Sequence, residues 1–349
     1  MTKRAFFSIL LLCGGFMTAP VALASEPLGV LRLEDVTLRP QAVFGEKKQG
    51  QFELGESSAA LAWHLDDSLS AKFRFGAHAL RGKPAFYKDT KSKNDLDLLE
   101  AYAEYQSLYG RFRLGLIPLD LGREGSVPDG ELIFPRAQIF SRGLFGLRDF
   151  GFNYFTGYNQ FFTEFSAHNG ESEDNLDNKT WFAARWGYDF KKLRLEAFGE
   201  TGSTTSLSTA GSTLTVARFD PTQNSKWRMG GFYADWVPST FRMSLEVIEG
   251  DATQNKETFR FLTGSMDLGL MGKNGWGMFL RYNPFDPDTK TDGDATHDVS
   301  VAVVRANASL TSKLILIGTK RFEEGKSQIP NDEIRLVWSA TPFYDPPRY

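Results

Sequence analysis

The chain has 349 residues, 40 basic and 43 acidic side chains, a net charge of −3 and one cysteine, Cys13. That balance offers no basic surface for nucleic acid, and a lone cysteine excludes disulfides and thiolate metal sites. Aromatics reach 14%, with 30 phenylalanines, yet mean hydropathy is negative, so apolar side chains must be sorted spatially rather than pooled in long runs.

The first residues read as an export signal. Lys3 and Arg4 precede an apolar run over residues 5–12, and Ala22-Leu23-Ala24 forms a small-residue cleavage site before Ser25. Residues 1–24 are therefore expected to be removed, leaving 25–349 with no cysteine and a net charge of about −5. Leu12 stands where a lipoprotein signal would need a small residue before its cysteine, which argues against that signal type. No later segment holds 18 uninterrupted apolar residues, so helical membrane spans are not expected. No Pro-rich or Ser/Gly-rich linker divides the remainder, which reads as one domain.

From Leu69 onward the apolar pattern has a period of two. Leu69, Ala71, Phe73, Phe75 and Ala77 alternate with Ser70, Lys72, Arg74, Gly76 and His78. Leu99, Ala101, Ala103 and Tyr105 alternate with Glu100, Tyr102, Glu104 and Gln106, and Phe112 and Leu114 with Arg111 and Arg113. The same rhythm returns at Leu193 to Ala197, at Met243 to Val247 and at Ile334 to Trp338. Connections alternate in length. Short ones fall at 66–67, 108–110, 156–159, 189–192, 237–240, 272–275 and 308–312; longer polar ones at 45–50, 81–94, 118–146, 169–178, 202–225, 249–257, 284–297 and 323–332. Short turns on one side and long loops on the other are the habit of a transmembrane antiparallel β-barrel. About sixteen strands of roughly 9–11 residues are expected, the length a tilted strand needs to cross hydrocarbon. In 226–236, 259–269 and 299–308 the apolar parity slips, which a bulge, a subunit-buried face or a misplaced boundary would produce.

The stretch Tyr109 to Pro118 (YGRFRLGLIP), Leu121-Gly122, Pro135-Arg136 and Gly143 to Phe152 (GLFGLRDFGF) resembles the sixteen-stranded bacterial porins, particularly the phosphate-selective O/P type. The resemblance implies a homotrimer of water-filled barrels in outer-membrane lipid and lipopolysaccharide. It also implies that the loop after strand five, here 118–146, folds inward as a constriction carrying Asp120, Arg123, Glu124, Asp129, Glu131, Arg136 and Arg142. No compact lysine cluster accompanies it, which speaks against phosphate specificity.

Residues opposite the apolar face would line the lumen: Lys72, Arg74, Arg111, Arg113, Arg185, Arg194, Arg242, Arg281 and Arg335, with acids Glu100, Glu104, Glu164, Glu196, Glu200 and Glu246. A modest basic excess there implies a weak anion preference and passage of small anionic or neutral solutes. If each arginine instead pairs with a glutamate across strands, little net field remains. Trp181, Trp186, Tyr188, Trp227, Tyr233, Trp236, Trp276, Tyr282 and Trp338 are expected as interfacial girdles. The four histidines, His64, His78, His168 and His297, form no catalytic or metal-binding motif, so neither enzyme nor cofactor is expected. A structural or adhesin-type barrel with a plugged lumen is the competing reading. Pro346-Pro347 cannot continue a paired strand, so the last strand should end near Phe343.

Overall fold

The computed structural model describes residues 29–46, 48–81, 92, 94–142, 144–170, 178–205, 223–325 and 332–342. The signal at 1–24, the acidic run 171–177 and the tail from Phe343 lie outside them.

Alternating β-branched, aromatic and charged residues form eighteen strands: β1 (Val30–Thr37), β2 (Gln41–Gly45), β3 (Lys48–Glu53), β4 (Ser58–His64), β5 (Leu69–Ala77), β6 (Leu96–Ser107), β7 (Gly110–Pro118), β8 (Arg148–Tyr158), β9 (Phe161–His168), β10 (Trp181–Phe190), β11 (Leu193–Thr204), β12 (Ser225–Trp236), β13 (Phe241–Gln254), β14 (Glu257–Met271), β15 (Trp276–Asp286), β16 (Thr296–Ala306), β17 (Ser312–Glu323) and β18 (Glu333–Ala340). All named pairings are antiparallel. Neighbours from β4 to β18 pair in sequence, β18 pairs with β2, β2 with β3, and β1 with β4. As a ladder the sheet ends at β1 and β3. The chain itself joins these ends: β1 runs through Leu38–Pro40 into β2, and β3 through 54–57 into β4. Leu38 exchanges two backbone hydrogen bonds of 2.8 Å with Ala340 of β18. Each of these pairs is one long strand with a break, so the eighteen named strands amount to about the sixteen expected.

Two expected long loops are short. Gly45 pairs with Lys48 across residues 46–47. Gln254 pairs with Glu257 across Asn255 and Lys256, whose φ values of 47° and 72° make a tight two-residue turn. Leu99 also departs from its expected face. A register shift between β5 and β6 lets it turn inward, where it is fully buried, beside Glu100.

The outer face carries exposed large apolar side chains, among them Leu280, Val303, Leu316, Leu336 and Trp338. Such a continuous band suits hydrocarbon rather than water. Trp186, Trp236, Trp276, Tyr282 and Trp338 belong to this face. Trp181, Trp227 and Tyr233 do not: they point inward and are at most 3% exposed.

That inversion explains the slipped parity. β12 to β14 pair without any register shift, as do β15 and β16. The apolar residues change face because residues 118–146 fold inside and dock there. Loop side chains including Leu121, Ile139, Phe140 and Phe145 share a core with Trp227, Tyr233, Ile248, Phe259 and Phe261 of the wall. Further along, Phe134 sits on Phe279, Ala302, Val304, Ile315, Ile317 and Val337 of β15 to β18. Phe134→Ala should therefore cost about 3–5 kcal/mol and make loop cleavage by protease faster while the strands stay protected; unchanged cleavage would place the loop's anchorage elsewhere.

Candidate functional site

Residues 118–146 leave the end of β7, cross the interior and return to β8, with α1 (Gly122–Ser126), a 3-10 turn at Asp129–Glu131 and α2 (Gln138–Ser141) on the way. Three sets of polar contacts hold them.

The first lies against β13 to β15. Arg281 donates to both Asp267 oxygens at 2.7 Å, to the Pro135 carbonyl at 2.7 Å, and approaches Glu124 Oε1 to 2.7 Å. Its guanidinium also lies 4.9 Å from the Phe134 ring centre. Arg123 reaches Asp267 at 2.7 Å while its own backbone N–H donates to Glu246 at 2.7 Å. This requires close approach: Gly122 has φ +68°, and a Cβ there would strike the Glu246 carboxylate.

The second set pins the loop tip. The Gly130 carbonyl accepts from Lys313 Nζ at 3.2 Å and Ser339 Oγ at 3.4 Å, and Arg39 Nη1 donates to the Asp129 and Leu132 carbonyls. A Cβ at Gly130 would collide with Thr341. The Asp129 carboxylate pairs with Arg136 and stands 3.8 Å from Arg148, which in turn donates to Glu100 at 3.0 Å. In the third set, the Gln138 N–H donates to Asn283 at 2.9 Å, and Arg142 lies 4.3 Å over Phe285 while donating to Thr296 at 3.2 Å. Burial and the nearby Arg321 push Arg142 down to about 10, so it stays charged at neutral pH.

The facing wall is built by β5 to β11. Lys72 bridges Glu34 at 3.2 Å and Glu104 at 3.5 Å; Arg74 contacts Asp35 at 2.8 Å and Glu100 at 3.2 Å. Arg113 donates to Glu104 at 2.8 Å and lies 3.7 Å from Asp120. Arg185 meets Glu164 at 2.6 Å, Glu196 at 3.3 Å and Asp120 at 3.4 Å. Asp120 thus ties the start of the loop to this wall. Arg111 comes only to 3.7 Å of Glu104, and Arg194 to 3.2 Å of Glu196. Arg242 pairs with Asp235 at 2.9 Å, and Arg335 with Glu333, away from the facing wall. Cross-strand pairing, rather than an open basic lining, is the rule. Among the residues singled out from the sequence, Lys72, Arg111, Arg194 and Arg242 keep 23–31% of their side chains exposed, whereas Arg113, Arg123 and Arg281 keep 9% or less.

Arg39, Arg148, Asp267 and Lys313 also carry the arrangement and were not singled out. Arg39 sits in the break between β1 and β2, and Asp267 in a strand whose parity looked irregular. Another buried cluster is that of His168, held by Asp149 at 2.7 Å and Glu200 at 3.2 Å.

Burial alone would raise the Asp129 carboxyl, but Arg136, Arg148, Arg74 and Arg39 hold it below the usual carboxylate range. The unfolded chain therefore binds this proton more readily. The stabilisation is complete above about pH 4 and is lost as pH falls through the lower folded value. Acidification below about pH 4 should speed protease cleavage at the loop tip. Asp129→Asn should already be cleaved faster at neutral pH and show a smaller further change on acidification; an acid response equal to wild type would assign it to other groups.

No family model matches the sequence, and no curated protein matches it either. Solved structures do match. An in-vitro folded outer-membrane protein OmpT of Vibrio cholerae, in its trimer form, superposes with a TM-score of 0.67 at 13% identity, covering 90% of this chain and 100% of that one. The outer-membrane channel DcaP of Acinetobacter baumannii gives 0.63 at 11%, covering 91% and 99%. An anion-selective porin from Comamonas acidovorans gives 0.62 at 11%, covering 90% and 99%. At such identities the likeness is one of fold: this chain has the fold of the bacterial outer-membrane porins.

Proposed function

We propose that the chain is a bacterial outer-membrane porin, exported by its signal at 1–24, that lets small hydrophilic solutes diffuse through a water-filled barrel narrowed by residues 118–146. The observation carrying this reading is the long loop anchored inside a barrel of apolar exterior, opposite a wall of charged side chains that reach water. The O/P-type resemblance at 109–152 adds to it, and so does the trimer form of a structural neighbour, from which we take a homotrimer seated in outer-membrane lipid and lipopolysaccharide. The proposed lining is the charged set from Lys72 to Arg335. Passive diffusion needs no catalytic group or cofactor.

An anion preference enters as a weak one. In this reading Arg111 and Arg194 face the lumen and hold shared carboxylates loosely, at 3.7 Å from Glu104 and 3.2 Å from Glu196, whereas Arg185 and Arg281 meet theirs at 2.6 and 2.7 Å. A second reading, a structural barrel with a plugged lumen, draws on the apolar core that the loop builds against β10 to β15.

Planar-bilayer recording of the purified protein separates the two. Discrete conductance steps are expected, with a reversal potential in a salt gradient that favours anions slightly. Arg111→Glu should shift that potential toward cations. Steps that never appear at any voltage would favour the plugged barrel, and an unmoved potential would remove Arg111 from the narrow zone.

A further inference from the structure

Near the short turns of β7 to β12, charge and aromatic rings share the inner wall. The rings of Phe155 (β8) and Phe162 (β9) lie 6.0 Å apart and within 23° of parallel. The Arg111 guanidinium lies 5.0 Å from the first ring centre, and that of Arg194 lies 5.1 Å from the second. Phe162 is pressed against Gly187, where a Cβ would collide with its ring tip, and the buried Arg185 guanidinium lies 5.5 Å from its ring centre, so its position is fixed.

The two guanidiniums differ from their neighbours in how little of a carboxylate is left to them and in their exposure. Glu104 is already engaged by Arg113 at 2.8 Å and Lys72 at 3.5 Å, leaving Arg111 at 3.7 Å, beyond hydrogen-bond reach. Arg194 makes one bond, at 3.2 Å, to a Glu196 that also serves Arg185 and Tyr233. In each, Nε is buried without a hydrogen-bond partner, as it is in Arg74 and Arg185, so the N–H groups a solute can meet are those at Nη. Both side chains still reach solvent, at 27% and 31% exposure. A guanidinium with spare N–H groups matches a carboxylate with two oxygens, and its flat face, like a phenyl ring, stacks on a flat apolar body.

We propose that Arg111, Phe155, Phe162 and Arg194 form a subsite for flat aromatic carboxylates on the short-turn side of the loop; as a solute site it rests on the channel reading above. The carboxylate meets the free N–H groups of either arginine, and the ring stacks along the Phe155–Phe162 row. A small aliphatic acid has the charge without the stacking surface, and a saturated ring has bulk without flatness.

Saturation-transfer NMR on the detergent-solubilised full-length protein tests this with benzoate, acetate and cyclohexanecarboxylate as probes. Benzoate should receive saturation and the other two much less. Arg111→Gln with Arg194→Gln should lower the benzoate effect about fivefold, the scale of losing two exposed cation–ring contacts, and Phe155→Leu with Phe162→Leu should do the same. Folding of each variant is read from its gel mobility before and after heating; if the aromatic pair fails to assemble, the arginine pair decides. Equal benzoate signals in wild type and arginine variant, as micelle partition alone would produce, overturn the subsite. So does equal saturation of all three probes. Bilayer recording keeps the two readings apart: conductance without a variant-sensitive benzoate signal removes the subsite and leaves the porin, whereas the signal without conductance keeps the binding site and removes the channel.

Discussion

The inner face of the sheet carries two kinds of surface of opposite character, a charged one and an apolar one that takes the docked segment 118–146, and this division shapes the rest of the molecule. Where β12 to β16 touch the segment, inward positions hold Trp227, Phe261, Val304 and similar side chains. Where β5 to β7 and β11 face the remaining space, inward positions hold Lys72, Arg74, Arg111 and Arg194. The outward face stays apolar throughout the belt, so the docking strands are apolar on both faces over part of their length. A buried sheet face reads as such a run, here on a strand whose other side faces outward.

Charge does most of the positioning once the apolar contacts have placed the segment. A buried guanidinium is costly unless it is paired and fully hydrogen-bonded. Arg281 meets that condition by joining Asp267, Glu124 and the Pro135 carbonyl, and Asp129 meets it amid several arginines. Because each such group depends on partners from distant strands, the contacts specify one path for the segment. The same pairing consumes most of the positive charge on the wall, so the residual field comes from the few cations whose carboxylates are shared. That is also why Arg111 and Arg194, neither the most basic region nor the most buried, emerge as the groups with bonding capacity to spare.

Much of the fold is legible in the residues alone. Alternation at Leu69 to Ala77 and at Met243 to Val247 reports which face is apolar, because side chains in a strand point alternately to its two sides. Alternating short and long connections indicate a meander of about sixteen strands. The two loops expected to be long and found short fail for a local reason: Asn255-Lys256 and the turn after Gly45 sit in polar sequence that a strand can equally well use above the apolar belt. Leu99 fails because a bulge is a property of the pairing with β5, not of β6. Trp181, Trp227 and Tyr233 resemble girdle residues in composition and spacing, and only the presence of the loop beneath them turns that face into a core.

Period, charge sign and loop length, which the chain carries locally, determine the antiparallel barrel, its approximate strand number and the loop long enough to enter it. Which arginine meets which carboxylate is decided by register across strands and by the path of 118–146, since Arg123 and Asp267 or Asp129 and Arg148 are neighbours only after the sheet has curled. Tertiary structure alone therefore distinguishes cations whose charge is spent within the protein from those left with bonding capacity, the physical reason being that ion pairing is a matter of a few ångströms and sequence spacing says nothing of it.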